Sequence, residues 1–298
     1  MDKRLEQRLL EFNSRYQDLA YRLSKIDKIK SYVKKLRNGN IVGLYNDLTY
    51  RNYDKKYFGQ AGNDIESKDK KQDITGKRIA VYSCIIGRYD EVAEPVYAEP
   101  EIDYLMFTDM EIEEGSTWHK IDVTKFPQYK ELSSIQMNRI IKFHPERFLP
   151  EYDYSIYIDG NIEPVAGFAN MIANMGGYGF GVHYHSSRDC IYDEKVAVVH
   201  YKKANVDLVK AQLESYEREG FPHHFGLFEN SVLIRDHHDQ DVIELMNHWW
   251  SEYEKYPTRD QLSLPYLIWK HKFPKEKIYI LGNNVDRNPR FNRTKKHV

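Results

Sequence analysis

Closely spaced cysteines, long apolar runs and a large net charge are all missing from this sequence. The 298 residues include two cysteines, Cys84 and Cys190, without CxxC spacing, so we expect two reduced thiols. No apolar run approaches the ~20 residues that a membrane-spanning helix needs. The charged first residues do not resemble a signal peptide, and the net charge of -1 does not suggest nucleic-acid binding. We therefore expect a cytoplasmic protein with no nucleic-acid partner.

Three common catalytic motifs are absent as well. No GxGxxG follows the first predicted strand, which argues against the usual dinucleotide-binding site. The sequence also contains neither the GxxxxGK[ST] of a P-loop nor the GxSxG of a hydrolase elbow. Any chemistry must therefore come from a less familiar set of residues.

Positive charge is concentrated near the beginning of the chain. Residues 1–60 contain 14 Lys and Arg residues against 7 Asp and Glu residues, and the rest of the chain is acidic. A basic arm on an acidic body favours an anionic surface as the partner of the arm. The sequence therefore predicts contact with an acidic protein, or peripheral contact with the anionic inner face of a membrane.

The first part of this arm has the apolar repeat of a long helix. Steps of four and three residues join Leu5, Leu9, Phe12, Tyr16, Leu19, Leu23 and Ile26. Lys30 interrupts the repeat, Val33 resumes it, and Gly39 predicts the end of the helix. The apolar repeat, called the seam below, either packs on the helix's own domain or pairs two chains as a homodimer.

Composition divides the chain into three regions. Residues 1–60 are predicted to form a helical or coiled-coil extension. Residues 61–76 are polar and poor in apolar side chains, as is typical of a linker. Residues 77–298 form the predicted main domain, which ends in a basic tail.

From residue 77 onward, predicted strands alternate with predicted helices. The strand segments are RIAVYSCII, DYLMFTD, YSIYID, YGFGVHYH, ENSVLIRD and KIYIL. This alternation predicts an α/β fold with a mainly parallel sheet and helices on both faces. Polar clusters follow three of the strands at residues 88–90, 108–109 and 159–161. Ligands bind such sheets beyond the carboxyl ends of the strands, so we expect the site there.

The cluster Asp159-Gly160-Asn161 allows two interpretations. Asp-Gly is a favoured turn for a β-hairpin. Alternatively, the side-chain oxygens of Asp159 and Asn161 reach one divalent cation, while Gly160 lets the chain bend and a diphosphate approach. The helical pattern that follows Pro164 disfavours a hairpin.

Other polar clusters have both a functional and a structural interpretation. His185, Arg188 and Glu194 follow a strand and suit a metal or phosphate, or else form an internal Arg–carboxylate pair. His183 and His185 also have the spacing of a zinc pair, although no further nearby ligands complete it.

Two more segments offer charged side chains for binding or catalysis. Arg139 and Lys142 lie within one turn of a predicted helix, where they suit an anion or simply a solvated face. Asp260 begins an apolar helix, where it caps the helix or presents a carboxylate to a hydroxyl. Glu229 precedes a strand, a position that is more often structural than catalytic.

Six segments in this order resemble one family. They are VYSCIIGRYDEVAEP, YLMFTD, NRIIKFHPERFLPEYDYSIYIDGNI, HSSRDCIYDE, GLFENSVLIR and RDQLSLPYLIWK. The chain resembles the plant mucilage-related glycosyltransferases and similar bacterial proteins of capsule and surface-polysaccharide synthesis. The resemblance covers residues 77–282. It implies a GT-A-like Rossmann-type fold that binds a nucleotide sugar together with Mn²⁺ or Mg²⁺.

The resemblance also implies roles for individual residues. The donor-binding residues would be Tyr89, Asp90, Asp109, Arg139, Lys142, Gly160 and Arg188. The first three of these would hold the base and ribose, and the Arg and Lys side chains would face the diphosphate. The metal ligands would be Asp159, Asn161 and His185. An enzyme that inverts the anomeric centre also needs a base, for which Asp260 and then Glu229 are the candidates, whereas a retaining enzyme needs neither.

These observations predict a metal-dependent glycosyltransferase. It would move a sugar from a nucleotide-sugar donor to a growing surface polysaccharide or other glycan acceptor, at the cytosolic face of the membrane. The neutral Asn161, where many such enzymes have a second carboxylate, favours a noncatalytic nucleotide-sugar- or glycan-binding scaffold instead. A metal-dependent phosphoesterase would use the same carboxylate and His side chains.

Overall fold

A sheet of seven strands forms the centre of the computed structural model, which describes residues 3–294. The strands are β1 Ile79–Ile85, β2 Asp103–Thr108, β3 His119–Asp122, β4 Tyr154–Ile158, β6 Phe180–Tyr184, β7 Phe228–Asp236 and β8 Ile278–Ile280. Two short strands, β5 Ile162–Pro164 and β9 Phe291–Arg293, pair with each other outside the sheet.

The sheet has the strand order β3-β2-β1-β4-β7-β6-β8 and is mainly parallel. Strand β7 is the exception, because it runs antiparallel to both of its neighbours, β4 and β6. The carboxyl ends of β1, β2, β4 and β6 therefore meet the beginning of β7 at one edge of the sheet. This edge, called the carboxyl edge below, lies where the sequence predicts the site.

Helices cover both faces of the sheet. They are α3 Ser134–Phe143, α4 Pro145–Phe148, α5 Ala169–Asn174, α6 Ile191–His200, α7 Val206–Arg218, α8 Gln240–Lys255 and α9 Asp260–Lys270. Alternate residues of β1 enter two separate cores, since successive side chains of a strand point to opposite faces. Tyr82 joins the core beneath α3, α7, α8 and α9, whereas Val81 joins the core that includes α5. The predicted α/β fold, mainly parallel sheet and long N-terminal helix are confirmed.

The six predicted strands are all present, but some elements were not predicted. The sequence HKID of β3 is too short to show an alternating pattern, so this edge strand was missed. Helix α6 was not predicted, because its first turn carries the polar Asp193 and Glu194. Helix α2, Ile41–Lys56, lies within the predicted helical extension, but its bounds were not predicted because its sequence lacks a clear apolar repeat.

Helix α1, Lys3–Arg37, ends near Gly39 as predicted. The face that it turns toward the domain was not predicted. The residues that it buries are the polar Glu6, Asn13 and Gln17. Its apolar seam faces outward, and Phe12 is 71% exposed. The helix thus packs on its own domain through a polar face, so the first of the two alternatives for the seam, packing on its own domain, is not observed.

The segment predicted as a linker lies along the main domain. The amide of Gly62 donates to Asp189 Oδ2 at 2.7 Å, and the amide of Gln72 donates to the Ala173 carbonyl at 2.9 Å. Between them, the Ile65 amide donates to the Tyr184 hydroxyl at 2.5 Å. Residues 61–76 lack regular helices and strands, as a linker does, but they are tied to β6 and α5. The division of domains at residues 60 and 76 stays a prediction.

None of the helices within residues 3–294 is both long enough and apolar enough to cross a bilayer. The last residues of the predicted basic tail, 295–298, lie outside the described part of the chain.

Candidate active site

The loop after β1 is shaped by an aspartate that follows β2. Gly87 and Arg88 both adopt a left-handed backbone conformation, with φ of 70° and 57°. Asp109 stabilises this turn, because its Oδ1 accepts a hydrogen bond from the Gly87 amide at 3.0 Å. The hydroxyl of Tyr129 donates to Asp109 Oδ2 at 3.1 Å. The carboxylate of Asp109 therefore positions the loop that carries Tyr89 and Asp90 along the carboxyl edge.

The residues after β4 form a turn that is not a hairpin. The Asp159 amide donates to the Ser231 carbonyl at 2.8 Å, which keeps Asp159 beside β7. After the turn, β5 pairs with β9 and not with β4. The hairpin interpretation is therefore wrong, and the side chain of Asp159, 34% exposed, reaches the carboxyl edge.

Gly160 brings the β1 and β4 loops into close contact. A Cβ atom at this position would lie 2.8 Å from Ile85 Cγ1 and 3.1 Å from Asp90 Oδ2. The lack of a side chain thus allows the Asp90 carboxylate to approach the Asp159-Gly160-Asn161 turn. Asp90, Asp159 and Asn161 accordingly supply side-chain oxygens around one turn.

We expect Gly160→Ala to be destabilising because the added methyl group overlaps Ile85. The free energy of unfolding should fall by about 1–3 kcal/mol, the usual range for an overpacked core. Urea unfolding monitored by tryptophan fluorescence would measure this change. Gly59→Ala is the matched control, since its Cβ would meet no atom nearer than 3.5 Å. Equal stability of the two variants would contradict the close approach.

A buried lysine joins the carboxylates of two different elements. Lys142, near the end of α3, has a side chain that is only 2% exposed. Its Nζ lies 2.7 Å from Asp260 Oδ2 and 3.5 Å from Asp159 Oδ1. Arg139, one turn earlier, lies 3.9 Å from Asp260. The sequence-predicted Arg139, Lys142, Asp159 and Asp260 are thus brought together in one charged cluster.

The backbone of this cluster is held by a buried arginine on β7. Arg235 Nη1 donates to the Lys142 carbonyl at 2.6 Å, and its Nη2 donates to the Tyr82 hydroxyl at 2.6 Å. Ser133 and Gln136 form a capping box that begins α3. Both ends of α3 are therefore fixed, which positions Lys142 over the sheet.

Electrostatic interactions lower the pKa of both carboxylic acids in the cluster. Burial alone would raise the pKa of Asp260, but the ammonium of Lys142 and then the guanidinium of Arg139 outweigh it. The pKa of Asp159 is also lowered. Burial and the repulsion from Asp260 would raise it, but the attraction to Lys142 and Arg139 and the hydrogen bond with Tyr157 together outweigh them. Both groups are therefore ionised at neutral pH.

The position of Asp260 differs from both sequence interpretations. Arg259 occupies the N-cap position of α9, and Asp260 is the first helical residue. The carboxylate is buried and paired with Lys142, so it is a poor proton acceptor in this arrangement. The structure therefore does not favour Asp260 as the first candidate for a base.

Glu229 lies at the carboxyl edge together with an arginine that was not predicted. Its Oε1 accepts from the Ser231 hydroxyl at 2.5 Å and lies 3.8 Å from Arg293 Nη2. Arg293 Nη1 also lies 3.5 Å from Asn161 Oδ1. This arginine was missed because it belongs to the segment interpreted as a basic tail. The pairing of β9 with β5 brings it to the site.

His185 and Arg188 belong to a different cluster. Arg188 is buried, and its guanidinium binds Glu194 at 2.7 Å and the carboxylate of Asp54. His185 Nδ1 accepts from the Arg188 amide at 3.1 Å, and its Nε2 lies 3.9 Å from Glu194. The structure thus contains the internal Arg–carboxylate pair, which does not favour Arg188 as a diphosphate ligand. The role of His185 as a metal ligand stays a prediction.

His183 of β6 and His185, which follows the strand, do not form a zinc pair. His183 is buried, its Nε2 lies 3.0 Å from Asn288 Nδ2, and burial lowers its pKa to about 3. A separate group of possible metal ligands, Cys190, Asp193 and His224, occurs at the start of α6. Among the described residues, this group shares no member with the Asp159 turn.

The sequence also matches a known family. Residues 50–295 match the family model described as TOD1/MUCI70, glycosyltransferase-like domain. The chain belongs to this family. The match to the TOD1/MUCI70 family confirms the resemblance noted in the sequence and covers the whole carboxyl edge, including Arg293.

Most of the basic arm lies outside the TOD1/MUCI70 match, which begins near the middle of α2. Among solved structures, mouse xyloside xylosyltransferase 1 in its apo form is 13% identical, with a TM-score of 0.41. The alignment covers 68% of this chain and 85% of the mouse chain. A search of curated protein sequences found no match.

Proposed function

We propose that this glycosyltransferase-like protein transfers a sugar from a nucleotide-sugar donor to a glycan acceptor. One observation carries the proposal: the Asp159-Gly160-Asn161 turn lies at the carboxyl edge, where Gly160 lets the Asp90 carboxylate approach it and Asp159 lies 3.5 Å from the buried Lys142. This edge is where ligands bind in sheets of this kind. Membership of a glycosyltransferase-like family supports the same reaction class.

The residues around the β4 turn fit a divalent cation. Asp90, Asp159 and Asn161 offer the hard oxygen ligands that Mn²⁺ and Mg²⁺ prefer, and we propose that they hold the ion. Asp90 takes the place predicted for His185, because Gly160 brings its carboxylate to the turn. The bound ion would offset the negative charge that develops on the departing diphosphate.

The protein's own side chains orient the reacting groups. Lys142 holds Asp159 in place from below, and Arg293 holds Asn161 from the side. Asp109 orders the loop of Tyr89 and Asp90, which we propose contacts the nucleoside. In an inverting reaction, Glu229 would accept the proton of the acceptor hydroxyl, because Asp260 is buried among cations. This order of the two candidates reverses the prediction from the sequence.

A donor panel tests the proposal. The purified full-length protein would be incubated with nucleotide sugars that differ in base and sugar, with Mn²⁺, Mg²⁺ or EDTA. We expect release of nucleoside diphosphate from one donor, and loss of this activity in EDTA. Release of inorganic phosphate from simple esters, with no donor turned over, would instead indicate the phosphoesterase.

The scaffold alternative rests on a different feature of the same cluster. Lys142 already neutralises part of the charge of Asp159, and Asn161 is neutral. Less negative charge is therefore left at the turn to bind a cation. A scaffold would bind a nucleotide sugar equally well in EDTA and in Mn²⁺. Isothermal titration under both conditions, together with absence of turnover, would favour it over the transferase.

The exposed seam of α1 from Leu19 onward suits a homodimer, whereas the earlier seam residues Phe12 and Tyr16 line a groove beside the C-terminal segment and take no part in this pairing. Leu19 and Leu23 are both at least half exposed, and pairing with a second α1 would bury them. We expect Leu19→Glu combined with Leu23→Glu to lower the mass in sedimentation equilibrium to the 35.5 kDa of one chain. Leu36→Glu is the control, because Leu36 is exposed on the same helix outside the seam. A wild-type monomer at micromolar concentration would contradict the dimer.

The cytoplasmic location, the peripheral contact of the basic arm with a membrane and the polysaccharide acceptor remain proposals. The basic last turn of α1 suits anionic headgroups through Lys34 and Arg37, whereas Lys35 is paired with Asp47. Flotation with anionic vesicles at low and high salt would measure this contact.

A further inference from the structure

A groove of about 750 Å³ separates α1 from the C-terminal segment of the described chain. One wall is the side of α1 that carries Leu9, Phe12 and Tyr16, and the other wall includes Glu163 and Arg293. The volume lies within the range of pockets that bind small molecules. The groove is therefore large enough for a short oligosaccharide.

The α1 wall is fixed to the domain by polar contacts. Asn13 Nδ2 donates to the Pro289 carbonyl at 2.9 Å, and Gln17 Nε2 donates to the Phe291 carbonyl at 2.7 Å. Glu6 pairs with Arg290 at 2.7 Å. These contacts are made by the face of α1 next to the seam, so the aromatic side chains of the groove are left uncovered.

One wall of the groove is aromatic and the other is polar, which suits the two kinds of surface of a sugar ring. Phe12 is 71% exposed and Tyr16 is 54% exposed, so both rings present apolar faces to a ligand. The opposite wall offers amide groups, such as those of Asn284 and Asn292. A sugar ring has one apolar C–H face and a rim of hydroxyl groups, which matches an aromatic wall facing a polar wall.

The charges of the groove favour a neutral ligand. Among the described residues that line it, the acids are Glu163 and Asp286 and the bases are Arg287 and Arg293. Arg293 Nε donates to Asp286 at 2.8 Å, and Asn292 donates to Glu163 at 3.0 Å. Since acids and bases balance, a strongly anionic polymer has no electrostatic preference for this groove.

The groove shares Arg293 with the carboxyl edge. Arg293 lines the groove and also lies 3.5 Å from Asn161 Oδ1 and 3.8 Å from Glu229. We propose that the groove binds a neutral oligosaccharide as the acceptor, with α1 as one wall. This inference rests on the proposed transferase function. Because α1 lies outside the residues matched by the family, this binding would be a property added to the family domain.

Binding to an array of neutral oligosaccharides, containing glucose, galactose, mannose or N-acetylglucosamine, tests the proposal. The full chain would be compared with Phe12→Ala/Tyr16→Ala and with the control Leu36→Ala, which is exposed on α1 away from the groove. We expect wild type and control to bind one class of glycan, and the double variant to bind about tenfold more weakly, or ~1.4 kcal/mol. Circular dichroism would verify that α1 stays folded.

Two variants distinguish binding of the acceptor in the groove from turnover of the donor at the carboxyl edge. Asp159→Asn should keep glycan binding while it loses donor turnover, whereas the groove variant should lower the ratio of sugar transfer to donor hydrolysis. If the double variant binds glycan as well as the wild type does, the groove is not the acceptor site. The same follows if the wild type turns over a donor but binds no glycan. Either result would overturn the proposal for the groove and leave the proposed transferase function in place. A change from dimer to monomer in the double variant would show that a second copy of this chain covers the groove, and would also overturn the proposal.

Discussion

Asp159→Asn should abolish almost all metal-dependent release of nucleoside diphosphate. The amide keeps the shape of the side chain but removes the charge that we propose binds the cation at the β4 turn. Groups that stabilise developing charge contribute roughly 100- to 1,000-fold to a rate, and we expect a loss of this size in kcat/KM. The measurement is a metal titration of the best donor, with the wild type and the variant compared at each Mn²⁺ concentration.

Two matched substitutions control for this loss. Glu113→Gln makes the same carboxylate-to-amide change in an exposed turn and should leave the activity unaltered. Asn161→Asp should act in the opposite direction, since a second carboxylate lowers the Mn²⁺ concentration needed for half-maximal activity by about tenfold. An Asp159→Asn enzyme that keeps more than half of the wild-type rate at every metal concentration would rule out Asp159 as a ligand.

Lys142→Met should cause the largest loss of stability of any single substitution discussed here. The change leaves Asp260 buried without its nearest cation, while Arg139 remains 3.9 Å away. Breaking a buried ion pair from one side costs about 3–5 kcal/mol, and we expect the free energy of unfolding near pH 7 to fall by about 3 kcal/mol. Urea unfolding gives this value directly. Lys210→Met, which removes an exposed lysine from a pair with Glu214, should cost less than about 0.5 kcal/mol.

A double variant and a pH series test whether the unpaired charge of Asp260 causes the loss of stability in Lys142→Met. Lys142→Met/Asp260→Asn removes both charges and should recover most of the lost stability. In the wild type, the lowered pKa of Asp260 stabilises the folded state above the ordinary Asp pKa of about 4, and this contribution is lost as the pH falls further. In Lys142→Met the pKa of Asp260 should rise, so the deficit should shrink between about pH 7 and pH 5. A deficit that does not change with pH would point to lost packing on Tyr157 instead.

The sequence predicted the sheet well because its strands are buried and bounded by clear signals. The segments of β1, β2, β4, β6 and β7 are apolar runs that end in Gly or in polar residues. Short elements with neither an alternating nor a helical repeat, such as β3 and β9, could not be distinguished from loops. Their strand character comes from pairing with distant segments, and not from local propensity.

Part of the site was predicted, because the ends of the strands were predicted. Asp90, Asp109 and Asp159 were found because each follows a strand whose end defines the carboxyl edge. The pairing partners of charged side chains were not predictable, since they depend on three-dimensional neighbours. Arg188 and Arg139 were indistinguishable as sequence signals, yet one is bound to Glu194 and Asp54 and the other approaches Asp260. Arg293 gave no signal at all, because only the β5–β9 pairing brings it to Asn161.

The segment between the arm and the domain also determines where the chain can be cut. Gln60 donates to the His185 carbonyl at 3.0 Å, Asn63 accepts from the Leu227 amide at 3.0 Å, and Ser67 accepts from the Ile280 amide at 2.8 Å. A fragment that starts at residue 77 would expose these groups, which lie in or next to β6, β7 and β8, and would deprive Asp189 of the Gly62 amide. Truncated proteins for crystallisation should therefore begin before residue 59, and a protease should cleave near Gly39 sooner than within residues 60–72.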